Sequence, residues 1–207
     1  MPLPPQSLKT PFAYQVSSYD CVPISFINAL AYLFDRDDIP PLVIQKIYLY
    51  CLDTVTSKGD LGHGTTGLAI ALLGNWLQKY REGNFSLTTA YLERDNFSIA
   101  QASELSECLE RKGTALVRLH TGGKHWHYVL ALKLDDDWFY AFDPCRRPAR
   151  NIVRGQVEYL STNHGQGSGE QAPNLRIKRE WIDTLSSSKR FCLGALYERE
   201  CLLIERS

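Results

Sequence analysis

The stretch QVSSYDCVPISFINALAYLFD, residues 15–35, decides how the chain is read. From Cys21 onward, Ile24, Ile27, Leu30, Ala31 and Phe34 recur at helical spacing, and Pro23 is tolerated because it falls in the first turn. Cys21 therefore opens an apolar helix, at the end where exposed amides and the macrodipole favour an anion. Asp20 stands at the cap position of that helix. Gln15 lies six residues before the thiol, on the connection leading into it. A thiol so placed, with an amide donor nearby, is half of a nucleophilic site; the other half is a base and a group that orients the base. His127, in HWHYVLALKL (125–134), and Asp143, in FDPC (142–145), are the candidates.

Working outward, a second helix is expected from Pro41 to Asp53, after the IPP breaker. KGDLGHGTTG (58–67) then leads into a third helix capped by Thr65 or Thr66. The GxGxxG match from Gly62 to Gly67 reads as a tight turn, because a dinucleotide fingerprint needs a preceding strand and a helix precedes this one. Ser98 reads as the cap of a helix running to Gly113. Beyond it the texture changes. TALVRLHT (114–121), HYVLALKLD (127–135) and WFYAFDP (138–144) are short aromatic or β-branched runs punctuated by GGK and DDD, the pattern of consecutive antiparallel strands. The last two form a hairpin, with Asp135, Asp136 and Asp137 as its solvated turn. Residues 163–174 read as a flexible loop. REWIDTL (179–185) is a short helix, and LGALYERECLLIE (193–205) is a closing pair of strands or one bent strand. The fold class is α+β, a single domain over 1–207 with a helical part over about 1–112 and a β part over about 113–207. The thiol on the first helix is expected to face His127 on a strand across a cleft.

Composition narrows the function classes. The 23 basic and 23 acidic residues cancel, and no basic stripe with interleaved aromatics occurs, so nucleic acid is not an expected partner. The longest apolar runs are interrupted well short of a membrane span. Residues 1–12 lack the basic and apolar regions of a cleaved signal, so a soluble, cytoplasmic protein is expected. The six cysteines, at 21, 51, 108, 145, 192 and 201, form no CxxC pair and are read as free thiols in a reducing compartment. Cys51, Cys108, Cys192 and Cys201 sit in apolar patterns and are assigned to the core; Cys145 follows the Asp-Pro pair and is read as structural, with an approach to the cleft as the alternative. No metal or other cofactor is expected.

QVSSYDCVP before an apolar helix, followed far downstream by HWHYVLALKL and WFYAFDP, resembles the papain-like cysteine peptidase superfamily. Within it the chain is similar to the peptidases that trim double-glycine leaders from bacteriocins, and to their stand-alone relatives. The resemblance covers residues 11–145 and preserves the order Gln, Cys, His, Asp. It implies a papain-like fold with the nucleophile helix packed on an antiparallel sheet, and a Cys21, His127, Asp143 triad with Gln15 as oxyanion donor. A peptide or protein substrate is implied with it. The turn before the third helix, Gly64-Thr65 and Gly67-Leu68, is also similar. The chain departs from the family at the residue after the nucleophile, where glycine is usual and Val22 stands, followed by Pro23. Residues from 146 onward match no pattern of the family.

His125 competes with His127 as base, since both point to one face if the strand begins at His125. The family pattern and the apolar alternation select His127 and leave His125, with Trp126, as candidate substrate-binding residues on the cleft wall. His125 and His127 with His63 or His120 would be the alternative metal set, but no acidic or thiol partner has ligand spacing. The expected function is hydrolysis of a peptide or isopeptide bond. The alternatives are another amide- or acyl-group enzyme on the same scaffold (a deamidase, a transglutaminase-like enzyme or an acyltransferase) and a peptide-binding module without catalysis.

Overall fold

The structure, a computed structural model, describes residues 9–60, 62–100, 102–122, 125–148, 150–160, 171–186 and 188–207. Three helices come first: α1 (Cys21–Leu33), α2 (Pro41–Tyr50) and α3 (Gly67–Lys79). The strands β1 (Arg81–Glu82) and β2 (Phe85–Glu93) follow, then α4 (Glu104–Glu110). Next come β3 (Thr114–Gly122), β4 (His125–Leu134), β5 (Trp138–Phe142), β6 (Arg150–Val153), β7 (Val157–Tyr159) and β8 (Leu175–Lys178). The chain closes with α5 (Arg179–Ile182) and β9 (Glu200–Arg206). The strands form one antiparallel sheet in the order β1-β2-β9-β3-β4-β5-β8-β7-β6. The protein is thus α+β, with helices packed on a large antiparallel sheet.

The central strands read as continuous apolar runs because both faces of the sheet are buried. Leu116, Tyr128, Leu130, Phe142 and Leu202 pack with α1, α2 and α3, while Val117, Leu119, Val129, Ala131 and Phe139 belong to a second cluster with Leu105 and Cys108 of α4. Helix α1 packs against β3 and β4, and it is buried nearly all round, as a helix between a sheet and other helices must be. Among the described residues, no helix is long and apolar enough to cross a membrane.

Several boundaries differ from the sequence expectation. Helix α2 stops at Tyr50, not Asp53, because Cys51 turns extended (ψ 168°) and Leu52 follows with a left-handed φ of 62°. Helix α4 begins at Glu104 rather than near Ser98. Ala102, with φ 57°, breaks any earlier start, and the Ser103 hydroxyl accepts from Ser106 N at 3.3 Å as the actual cap. The part expected to be helical, 1–112, also supplies β2, which pairs with β9 from Leu87↔Arg206 to Glu93↔Glu200. The terminal stretch contributes one strand, β9, preceded by a short 3-10 turn at Leu196–Glu198. Thr66 is the cap of α3, its hydroxyl accepting from Ala69 N at 3.2 Å, and Asp53 accepts in turn from the Thr66 amide and hydroxyl. Most of the segment 163–174 lies outside the described residues.

Candidate active site

Cys21 is the first residue of α1 and is 9% exposed at the base of a cleft of about 590 Å³. The loop before it is held from three directions. Ala13 N and O bond the Asn28 side chain at 2.7 and 2.9 Å, Gln15 N donates to Pro144 O at 2.8 Å, and the Asp20 carboxylate accepts from Val16 N, Ser17 N and the Ser17 hydroxyl. Asp20 therefore occupies the cap position without capping: its carboxylate turns back on the loop and makes no hydrogen bond to the helix. The loop so fixed brings Gln15 to the cleft beside Cys21, and the bond to Pro144 ties it directly to the residue after Asp143.

His127 lies on β4 and Asp143 just after β5, adjacent strands whose pairing brings Leu130 opposite Phe142. His127 Nε2 is 2.6 Å from Asp143 Oδ1, both groups being buried. Burial alone would lower the His127 pKa. The charge of Asp143 and its hydrogen bond, with a smaller contribution from the nearby Cys21, outweigh that and raise it to about 10. With Nε2 committed to Asp143, the other ring nitrogen is the one left for the thiol. Asp143 shows the converse balance: burial raises its pKa, but His127, Tyr159 and the Cys145 amide hold it below the usual carboxylate value. The imidazole of this buried pair therefore carries its proton across the neutral range.

The structure thus brings Gln15, Cys21 and His127 to one cleft and places Asp143 directly behind His127. His125 and Trp126 line the same cleft, and His125, the exposed residue of the two histidines on β4, makes no contact with Asp143 that would make it the base. Trp126 is backed by the Arg118 guanidinium, 4.1 Å from its ring centroid, and by the His120 ring at 3.7 Å. Tyr19 and His63 also line the cleft, their rings tilted to one another with centroids 4.6 Å apart. Val22 is 1% exposed and packs into the core as well as bordering the cleft. Cys145 is partly exposed at the cleft; Cys51, Cys108, Cys192 and Cys201 are buried. Among the described residues, no three His, Cys, Asp or Glu side chains converge as a metal site.

The glycine-rich turn has a structural explanation. A Cβ on Gly67 would lie 2.5 Å from both Glu200 Oε2 and the Tyr91 hydroxyl. Its absence lets the start of α3 approach a buried carboxylate that accepts from Tyr91 and Tyr128 and pairs with Arg118 at 3.2 Å. Gly62 and Gly64 adopt left-handed φ values in the same turn, with helix α2 upstream of it.

Sequence reasoning missed the residues that hold Asp143. Tyr159 donates its hydroxyl to Oδ2, and Arg147 Nε lies 3.7 Å from the same oxygen. Asn174 clasps the Asp143 backbone, accepting from its amide at 2.6 Å and donating to its carbonyl at 2.9 Å. All three come from the stretch beyond 146, where no motif flagged them. Tyr159 ends a short strand while Arg147 and Asn174 lie in connecting segments, so no local pattern marks them.

No protein-family model matches the chain, and a search of curated proteins finds no match.

Proposed function

We propose that the chain is a papain-like cysteine peptidase, cleaving a peptide or isopeptide bond through Cys21, His127 and Asp143. The observation that carries this reading is the imidazole of His127, engaged by Asp143 at 2.6 Å and lining one cleft with Cys21 and Gln15. A helix bearing the thiol and an antiparallel sheet bearing the base and its orienter is the division of labour the papain-like resemblance implies. In the reaction, the proton of the Cys21–His127 pair already rests on the imidazole, and the thiolate sulfur attacks the substrate carbonyl carbon. Asp143 holds the ring in one orientation and balances the imidazolium charge. The amide of Cys21, in a first turn that lacks intrahelical acceptors, and the Gln15 side chain face the developing oxyanion. The Gln15 NH2 group spends one hydrogen on Ser17 O at 2.7 Å and has a second to give. His127 then protonates the leaving amine, and water attacks the thioester to release the acid.

The test is acylation by an activated ester such as p-nitrophenyl acetate. The expected result is a burst of nitrophenol stoichiometric with protein and an acetyl group on Cys21, absent in Cys21→Ala. Acylation spread evenly over the six cysteines, or a burst retained in Cys21→Ala, overturns the assignment.

A further inference from the structure

Asp143 is 0% exposed, so every oxygen lone pair it does not share with the protein is a cost. Its two oxygens are divided between two sets of partners. Oδ1 takes His127 Nε2 at 2.6 Å and the Cys145 amide at 2.7 Å. Oδ2 takes the Tyr159 hydroxyl and faces Arg147 Nε at 3.7 Å. A carboxylate held at Oδ1 alone could rotate about its Cβ–Cγ bond and exchange its oxygens before the imidazole; one held at both cannot.

Resting on the peptidase reading above, we infer that Tyr159 is a positioning residue: its hydroxyl locks the Asp143 carboxylate in the rotation that keeps Oδ1 on His127. Tyr159 is the last residue of β7, whose pairing with β8 also sets Asn174 just outside the sheet to grip the Asp143 backbone. The strands after residue 146 are therefore part of the catalytic apparatus, although the family resemblance ends before them. Burial, then the charge of Asp143 and its hydrogen bond, push the Tyr159 phenol up, so it remains a donor throughout the working range. Its ring is wedged edge-on against Phe191 at 6.0 Å, which gives the hydroxyl a fixed direction. The ionisable groups facing Asp143 are His127 from β4, Tyr159 from β7, and Cys145 and Arg147 from the segment after β5.

Tyr159→Phe removes the hydroxyl and leaves the ring. The readouts are iodoacetamide labelling of Cys21 against pH, resolved by mass spectrometry, and the proton resonance of His127 Nε2–H. With one donor gone, labelling at neutral pH is expected to slow by on the order of 10- to 100-fold, the range for a hydrogen bond to a buried charge. The acid limb of the profile moves to higher pH, because the ionised carboxylate has lost support. The ring-proton resonance moves as well. A folded Tyr159→Phe with the wild-type rate, acid limb and resonance overturns the inference while leaving the peptidase reading intact. A wild-type Cys21 that labels no faster than an ordinary thiol sinks the peptidase reading itself, and with it any catalytic role for Tyr159. Should the variant fail to fold, a ring-fluorinated tyrosine at 159, a stronger donor of nearly the same size, is expected to move the acid limb to lower pH; an unmoved limb contradicts the proposal.

Discussion

Replacing Asp143 by Asn separates charge from shape at the residue that sets the state of His127. In the folded chain His127 binds its proton with a pKa of about 10 against an ordinary 6.5, and Asp143 is the leading cause of the rise, acting against burial. With a neutral amide at 143, the largest cause of the rise is gone and only Cys21 still opposes burial, so the pKa falls. At pH 7 the protonated fraction then falls from nearly complete. The amide also presents its NH2 either to the Cys145 amide and His127 or to the Tyr159 hydroxyl, and one of those donors loses its acceptor; this should destabilise the fold by about 1–3 kcal/mol. The sign with pH follows from the two shifts. The stabilising contribution of His127 is complete below 6.5 and is lost as pH rises through about 10. That of Asp143 is present above 3.8 and is lost as pH falls through its depressed value. The difference in stability between wild type and Asp143→Asn should therefore be greatest between those limits and shrink outside them. The assay is an NMR titration of the His127 ring nitrogens, with denaturant melts at matched pH. A wild-type midpoint near 6.5, or the same midpoint in both proteins, would refute the reasoning.

Three further outcomes follow from the same geometry. Gln15→Ala should lower kcat on any cleaved substrate by about 100- to 1,000-fold, the range for one oxyanion donor, while leaving iodoacetamide labelling of Cys21 unchanged, since alkylation forms no oxyanion. His127→Ala should abolish the fast labelling of Cys21, whereas His125→Ala should retain it, measured as the rate at pH 7; equal loss in both would make His125 the base. Gly67→Ala forces a methyl group to within 2.5 Å of Glu200 Oε2 and the Tyr91 hydroxyl, groups that Arg118 and Tyr128 hold in place, and should destabilise by about 1–3 kcal/mol in urea melts. An unchanged melt would show that the carboxylate network yields freely.

What the sequence shows and hides follows from the range of the interactions involved. The helix that opens at Cys21, the α3 cap narrowed to Thr65 or Thr66, and the Asp135–Asp137 turn were legible because each is set by neighbours a few residues away; in the turn, Asp135 accepts from the amides of Asp137 and Trp138. The β4–β5 hairpin that brings His127 to Asp143 was legible for the same reason. Strand β2 was overlooked although Phe85, Leu87 and Thr89 alternate inward, because its partner β9 lies more than a hundred residues away. The false start at Ser98 shows a second limit. Ser98 and Ser103 are equally good caps on paper, and only the left-handed backbone at Ala102 decides between them. Within the site, the residues legible in the sequence were those of the proposed triad and oxyanion donor. Those that hold the chemistry still, Tyr159, Asn174 and Arg147, reach Asp143 from separate strands and loops, and nothing local marks them.

The most direct test of the central claim is competition between two cysteines of the same cleft in the unmodified protein. Cys145 is the more exposed, and Cys21 is only 9% exposed. If access alone governs reactivity, Cys145 is alkylated first. The account predicts the reverse under limiting iodoacetamide at pH 6–7: Cys21 reacts first and stoichiometrically, because His127 has taken its proton. Labelling of Cys145 ahead of Cys21, or of both at one rate, would contradict it.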